Sequence, residues 1–243
     1  MQRIDVPGVT YHVILRCNRD EWLLKEDAAK QGLLRRVREA GVRHQLTLFA
    51  YVIMDNHAHL LLSRGDTCTL AEAMRWLMTQ TAKDQLRAVA CRGHFWRQRY
   101  GAIPVEDNEY ALALLRYLDR NPVQAGVTTS PFEYPWSSCK AYAFGPSLPE
   151  ITLHPTYLGL GKNTRARQRR YRELIEDHRF GSDERLPAFS RAPALGDLPF
   201  WRRLRLPARS KRMDLAAFLA EVRRICGPKG HPPGRQSPAS PAS

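Results

Sequence analysis

The chain of 243 residues is short of paired cysteines, long apolar runs and glycine-rich loops. Its five cysteines are scattered, odd in number and without a CxxC pair, which argues against a disulfide framework or a zinc ribbon and fits a reducing cytoplasm. No apolar stretch approaches the roughly 20 residues that span a bilayer, and no basic segment followed by an apolar core opens the chain. No phosphate-binding glycine loop is present. We therefore expect a cytoplasmic protein without a membrane partner.

Acidic residues are also scarce relative to basic ones. Lys and Arg total 38 against 24 Asp and Glu, which gives a formal charge of +14 and a pI near 10. Such a surface is either simply solvated or binds a polyanion, and an excess of this size favours nucleic acid. Two segments could follow a phosphate backbone, one with Arg169 and Arg170 and the other with Arg202 and Arg203.

Hydrophobic periodicity predicts four strands and three helices in the first half of the chain. The strands are predicted at 11–17, 46–54, 57–63 and 102–105, and the helices at 26–40, 69–86 and 107–120. This order is βαββαβ with an added helix. It predicts an α+β, ferredoxin-like antiparallel sheet with helices on one face.

Local signals set three of the helix boundaries. Gly41 is a natural terminator for the first helix, and Thr69 with Glu72 forms a capping box at the start of the second. In the third helix, the residue before Pro122 avoids helical geometry, so a break is predicted at Asn121.

A change of composition divides the chain into three parts. We assign residues 1–148 to the ferredoxin-like domain and residues 149–226 to a basic, mainly helical C-terminal extension with a basic helix at 164–178. Residues 227–243 are rich in Pro, Gly and Ser, and are predicted to form a disordered tail.

A His-x-His pair, His57 and His59, opens an apolar strand. Side chains of a strand alternate between faces, so the two imidazoles lie side by side, as holding one metal ion requires. Taken alone, such a pair is more often structural. His12, His44 and His94 are isolated in sequence and are interpreted as strand or surface histidines.

The third predicted helix carries Tyr117 and Asn121 four residues apart, on one face. A nucleophile and a metal-directed group would then point the same way. The alternative is structural: Tyr117 is a core tyrosine, and Asn121 is an N-cap with Pro122 at the first position of a new turn. Patterning leaves both interpretations open.

Aromatic and arginine side chains alternate in residues 95–100. Aromatic faces stack on unpaired bases and guanidinium groups bind phosphate, so Phe95, Trp96, Arg97 and Arg99 are candidate contacts to a single-stranded nucleic acid. For Phe95 and Trp96 the alternative is packing in the core or at a sheet edge.

Four segments, in order, closely resemble the REP-associated tyrosine transposases, which belong to the single-tyrosine HUH (IS200-like) transposases. The segments are YVIMDNHAHLL at 51–61, FWRQRY at 95–100, RYLDRNPVQAG at 116–126 and YPWSS at 134–138. The resemblance covers about residues 5–148 and makes the His-x-His pair a predicted metal site.

This resemblance implies roles for individual residues. His57 and His59 would be the two metal ligands, with Mg²⁺ or Mn²⁺ as the ion, and Tyr117 the nucleophile. Asn121 falls where related insertion-sequence transposases carry a Gln as third ligand, and its shorter side chain leaves its role as a ligand open. The implied products are a 5′-phosphotyrosine and a free 3′-OH.

The implied function is that of a metal-dependent single-stranded DNA endonuclease and strand transferase acting on REP-type palindromic hairpins at the nucleoid. A homodimer stays open, because some relatives deliver the tyrosine from a partner subunit and others act as monomers. Two alternatives remain. One is a non-catalytic protein that binds DNA or RNA hairpins on the same fold, and the other is a metal phosphodiesterase that uses water and does not need Tyr117.

Overall fold

The computed structural model describes residues 4–88, 93–145, 148–176 and 194–204. The strands are β1 (Thr10–Arg16), β2 (Leu46–Ile53), β3 (His57–Arg64) and β4 (Gly101–Val105). The helices are α1 (Asp27–His44), α2 (Leu70–Ala88), α3 (Glu109–Gln124), α4 (Cys139–Phe144), α5 (Pro155–Leu158), α6 (Thr164–Glu176) and α7 (Leu198–Arg203). The predicted order of strands and helices is confirmed.

The four strands form one antiparallel sheet in the order β2-β3-β1-β4. The central strands β1 and β3 pair with each other, β4 flanks β1, and β2 flanks β3. A βαββαβ chain with this strand order is ferredoxin-like, so the predicted α+β class is confirmed. The arrangement places the His-x-His strand in the middle of the sheet, where both of its neighbours restrain it.

Both faces of this sheet are covered by helices. One face, with Tyr11 and Val13, packs on α1 and α2, while the other, with Ile14, Val52 and Leu61, packs on α3 to α6. The prediction of helices on one face therefore holds for the crossover helices α1 and α2 only. Successive residues of a strand point to opposite faces of the sheet, and in these strands both sets are largely apolar. The second face therefore also has to be kept from water.

The first helix ends later than predicted, while the second begins as predicted. α1 passes Gly41 and ends at His44, and the following Gln45 has a left-handed backbone with φ of 51°. A Cβ at Gly41 would lie 3.3 Å from the carbonyl oxygen of Leu46. This glycine therefore allows the start of β2 to approach the helix closely and does not end the helix. At α2, the backbone N–H of Thr69 donates to Glu72 Oε2 at 2.8 Å, and that of Glu72 donates to Thr69 Oγ1 at 3.2 Å. The predicted capping box is confirmed.

The third helix continues through a proline. α3 begins after Asn108 and contains Pro122. The predicted break at Asn121 is wrong, because the backbone N–H of Ala125 still donates to the Asn121 carbonyl at 3.0 Å. Pro122 is buried, and packing outweighs the local preference of the residue before it. Tyr117 and Asn121 therefore stay on one continuous helix, one turn apart.

Polar side chains of α3 hold helix α6 in place. The buried Arg116 donates through Nη1 to the carbonyls of Leu174 and Ile175, at 2.5 and 2.6 Å. The Tyr171 hydroxyl donates to Asp119 Oδ2 at 2.5 Å. The carbonyls of a last helical turn have no partner within their own helix, and Arg116 satisfies two of them.

Part of the predicted C-terminal extension is described. The basic helix predicted at 164–178 is present as α6, and α5 and α6 contribute to the core on the α3 side of the sheet. The division at residue 148 stays a prediction, and the tail at 227–243 lies outside the described residues. Within the described ranges, no helix combines the length and the apolar character needed to cross a bilayer.

Candidate active site

The His-x-His pair lies in β3, on the face that α3 covers. His59 is opposite Ile14 of β1 and His57 is opposite Arg16, and directly opposed residues share a face. His59 is 1% exposed, while His57, at the first residue of the strand, is partly exposed. As predicted, the imidazoles lie side by side, with ring centroids 5.0 Å apart.

Helix α3 places a tyrosine and an amide over these two rings. The ring of Tyr117 meets that of His59 edge-on, with centroids 5.6 Å apart. Asn121 Oδ1 lies 3.3 Å from His57 Nε2. Because the two residues are one turn apart on a continuous helix, each faces one histidine. The structure thus brings all four predicted residues together within one chain.

Burial controls the protonation of the site. It lowers the pKa of His57 to about 4, with the positive charge of Arg16 making a smaller contribution to that shift. Burial also holds the pKa of His59 well below its usual value, with the neighbouring His12 adding to the effect. The pKa of Tyr117 is raised by burial, and Arg16 partly offsets this. At neutral pH the site therefore contains uncharged imidazoles, the form in which histidine binds metals, and a protonated phenol.

The donor atoms around His57 fit a divalent cation. Asn56 Oδ1 lies 2.6 Å from His57 Nδ1, and an amide oxygen only accepts, so Nδ1 carries the proton. The lone pair of Nε2 then faces the acceptor Oδ1 of Asn121. Two acceptors that face each other are satisfied when both bind a cation, so this pair of atoms fits a divalent ion.

Asn121 matters to this fit because no acidic side chain in the described part of the chain joins the two histidines in a metal-binding group. Among the described residues, no group of three or more His, Cys, Asp or Glu side chains is arranged to hold a metal ion. A cation here would be bound by His57, His59 and the Asn121 amide. Its remaining positions would be left for oxygen atoms from water or substrate.

One histidine that looks isolated in sequence belongs to this site. His12 is fully buried in β1, and its Nε2 lies 2.8 Å from His59 Nδ1. The two rings are stacked with centroids 4.9 Å apart, and Tyr117 lies edge-on to His12 at 6.2 Å. His12 is a strand histidine and His94 is exposed, as predicted, whereas His44 is the last residue of α1 and packs on a tryptophan ring.

Two surface residues that the sequence did not single out are Arg16 and Trp22. Arg16 is exposed at the end of β1, opposite His57, and its charge acts on Tyr117. Trp22 is 64% exposed and lines a cavity of about 570 Å³ together with Lys25. The alternation of β1 could have placed Arg16 on the His12 face, whereas nothing in the sequence separates an exposed tryptophan from a buried one.

The predicted aromatic and arginine segment is divided between core and surface. Phe95 is 3% exposed and meets Trp96 edge to face, and the Trp96 indole N–H donates to a backbone carbonyl at 2.9 Å. Phe95 is therefore a core residue, and the prediction that it stacks on bases does not agree with its burial. Arg97 and Arg99 are exposed, with Arg97 paired to Asp20 at 3.1 Å.

The four predicted arginines of the C-terminal extension differ in their availability. Arg169 is exposed and lies 3.7 Å from a glutamate one turn along α6. Arg170 donates to the Leu160 carbonyl at 2.6 Å and is tied to its own chain. Arg202 and Arg203 are exposed on α7. Their guanidinium groups are accessible to a polyanion, which keeps the predicted phosphate role open for them.

Comparison with solved structures supports the fold. The structure of a REP-associated tyrosine transposase bound to a REP hairpin matches with a TM-score of 0.52 at 18% identity, covering 63% of this chain and 89% of that one. A protein assigned as a transposase in Deinococcus radiodurans R1 is 22% identical over 50% of this chain and 95% of its own, and its TM-score of 0.37 carries no weight. No curated protein matches the chain.

The sequence of the same region also matches a known family. The family model described as "Transposase IS200 like" matches residues 5–121, the range that holds His57, His59, Tyr117 and Asn121. Over this range the chain is similar to the IS200-like transposases, as its motifs predict, and the match supports a transposase role.

Proposed function

We propose that this transposase is a metal-dependent endonuclease and strand transferase for single-stranded DNA, with Tyr117 as its nucleophile. The observation that carries the proposal is the placement of Tyr117 edge-on to His59, 5.6 Å from it, beside a pair of uncharged imidazoles. Since α3 belongs to the same chain as the histidines, Tyr117 can act without a second subunit.

His57, His59 and the Asn121 amide oxygen would hold the cation, which we propose to be Mg²⁺ or Mn²⁺. Bound there, the ion supplies Lewis-acid stabilisation of the negative charge that grows on a phosphate oxygen in the transition state. The chain's own contribution is to keep both imidazoles neutral by burial and to align α3 over them. Arg16, exposed at the rim opposite His57, adds a positive charge where the phosphate would lie.

The chemical step follows from the protonation state of Tyr117. Burial raises the pKa of this phenol, so it begins protonated, and its proton passes to water as the oxygen attacks phosphorus. The new bond joins the Tyr117 oxygen to the 5′-phosphate, and the 3′-oxygen leaves and takes up a proton. One phosphodiester replaces another, so no ATP is consumed. Attack by a 3′-OH on the phosphotyrosine rejoins the strand and restores the phenol.

The substrate that we propose is single-stranded DNA with a REP-like hairpin. The structural neighbour is bound to a REP hairpin, and this chain carries a formal charge of +14. Arg97 and Arg99 are exposed on the segment whose backbone joins β1: the Arg97 N–H donates to the Arg16 carbonyl at 2.9 Å. The backbone of this segment is therefore held beside the end of β1 that carries Arg16.

The test is the formation of a covalent adduct. The protein is incubated with Mn²⁺ and a hairpin oligonucleotide labelled at its 3′ end, so that the fragment joined to tyrosine carries the label. We expect a denaturant-resistant, labelled protein band with the wild type and none with Tyr117→Phe. Tyr110→Phe, which removes a hydroxyl from the same helix, is the matched control and should still form the band.

Each alternative has its own outcome. Hairpin binding without cleavage by the wild type would indicate a non-catalytic binding protein. Cleavage without an adduct would indicate water as the nucleophile. An adduct that persists in Tyr117→Phe would show that another residue attacks the DNA.

A further inference from the structure

We propose that His12 is a positioning residue, which fixes the tautomer of His59 so that His59 Nε2 can bind the cation. The inference rests on the proposed function and adds a residue to the same site. His12 would touch neither the cation nor the DNA. It would act through the ring of His59 alone.

The contact between the two rings admits only two arrangements. Both side chains are buried, and His12 Nε2 lies 2.8 Å from His59 Nδ1. A neutral imidazole has one N–H and one acceptor nitrogen, so one ring must donate and the other must accept. If His59 donates, its Nε2 has a free lone pair. If His12 donates, His59 Nε2 carries the proton and cannot bind a metal.

The surroundings of His57 favour the first arrangement. Its Nδ1 faces Asn56 Oδ1 at 2.6 Å, and the Nδ2 group of Asn56 donates to the Asp20 carbonyl at 3.3 Å, which sets the orientation of the amide. His57 therefore donates from Nδ1 and keeps Nε2 free. His12 occupies the corresponding place beside His59 Nδ1. Metal-binding histidines generally donate their second ring N–H in this way.

The register of the sheet explains how His12 reaches this position. β1 and β3 are antiparallel, with Ile14 opposite His59 and His12 opposite Leu61. His12 is thus two residues along from the direct neighbour of His59, on the same face, where a long side chain can reach the ring diagonally. An apolar residue at position 12 would leave the buried Nδ1–H of His59 without an acceptor.

The first test needs neither metal nor DNA. Nitrogen-15 NMR of histidine-labelled, metal-free wild-type protein at neutral pH distinguishes the two tautomers of a ring, and comparison with His59→Gln assigns the signals. We expect His59 to carry its proton on Nδ1. A proton on Nε2 would overturn the proposal, whatever the protein does with DNA.

The second test compares two variants of similar size. Mn²⁺ is titrated into metal-free wild type, His12→Leu and His12→Gln by calorimetry, and circular dichroism verifies that each is folded. His12→Leu removes the acceptor and should weaken Mn²⁺ binding about 10- to 100-fold, the range seen when outer partners of metal ligands are lost. His12→Gln presents an amide oxygen to the same N–H and should restore most of the affinity.

Other results separate the His12 role from the proposed reaction. Wild-type affinity in a folded His12→Leu would contradict the proposal, and equal losses in both variants would indicate a packing role instead. If the wild type binds no Mn²⁺, both the His12 role and the metal dependence fail. If it binds Mn²⁺ but forms no Tyr117 adduct, only the catalytic part of the proposed function fails.

Discussion

At the residue scale, Asn121 shows how the path of the backbone sets the reach of a side chain. Because α3 continues through Pro122, Asn121 remains one turn from Tyr117, and its Oδ1 lies 3.3 Å from His57 Nε2. The Asn121 side chain is shorter than the glutamine that related insertion-sequence transposases carry, but in this chain it is long enough to reach the His57 ring. The contact supports Asn121 as an oxygen ligand beside two nitrogen ligands.

We predict that Asn121→Leu weakens Mn²⁺ binding at least about tenfold, because even the loss of an outer partner costs about 10- to 100-fold. Asn121→Gln retains the amide oxygen and should bind Mn²⁺ much more tightly than the leucine variant does. Calorimetric titration of the metal-free proteins measures both effects. Affinities of Asn121→Leu and the wild type that coincide would exclude the amide from the metal site.

At the scale of elements, α3 joins the site to helix α6. One side of α3 faces the histidines with Tyr117, while Arg116 and Asp119 bind α6. Asp119 is buried, and burial raises the pKa of its carboxyl to about 7 in spite of the hydrogen bond from Tyr171. The folded chain therefore retains a proton that an unfolded chain releases near pH 4.

The contribution of Asp119 to the free energy of unfolding decreases as the pH rises. Below about pH 4, Asp119 is protonated in both states, and its full contribution to stability is present. As the pH rises towards 7, only the unfolded state ionises, so the free energy of unfolding falls, by about 4 kcal/mol at most. We predict that Asp119→Asn, which does not titrate, loses this decline. Urea unfolding of both proteins between pH 4 and 8 measures the difference, and parallel curves would contradict the prediction.

The same elements show what the sequence could predict. The strands and the capping box depend on local patterns, and so does the pairing of His57 with His59, which follows from the period of a strand. The part played by His12 depends on the register between two strands whose contacting rings are 47 residues apart in sequence. The break predicted at Asn121 follows from a local rule, which packing overrides in this helix. The second face of the sheet is covered by helices that follow the βαββαβ core in sequence, so their position does not follow from the pattern of the core.

At the scale of the whole molecule, the proposed function requires the basic surface to direct a single strand to the site, and Trp22 is a candidate stacking platform. Its ring is 64% exposed beside the cavity that Arg19 and Lys25 also line. We predict that Trp22→Ala weakens binding of a single-stranded oligonucleotide by about 1–3 kcal/mol, the usual effect of losing one stacked base. Fluorescence anisotropy without metal measures the affinity. Phe144→Ala, at an exposed aromatic on α4, is the control, and equal losses in both variants would remove any special role for Trp22.

Phosphate contacts are separable from stacking by their dependence on salt. Neutralising a lysine or arginine that binds phosphate lowers the slope of log K against log salt by about 0.7 for single strands. We predict this decrease for Arg99→Gln, since Arg99 is exposed, and a smaller one for Arg97→Gln, because Asp20 already neutralises part of the Arg97 charge at 3.1 Å.

Arg170→Gln is the matched control: its guanidinium donates to the Leu160 carbonyl, so its loss should change stability and leave the slope intact. A slope unchanged in Arg99→Gln would place the strand elsewhere on the molecule, with Arg202 and Arg203 as the next arginines to neutralise.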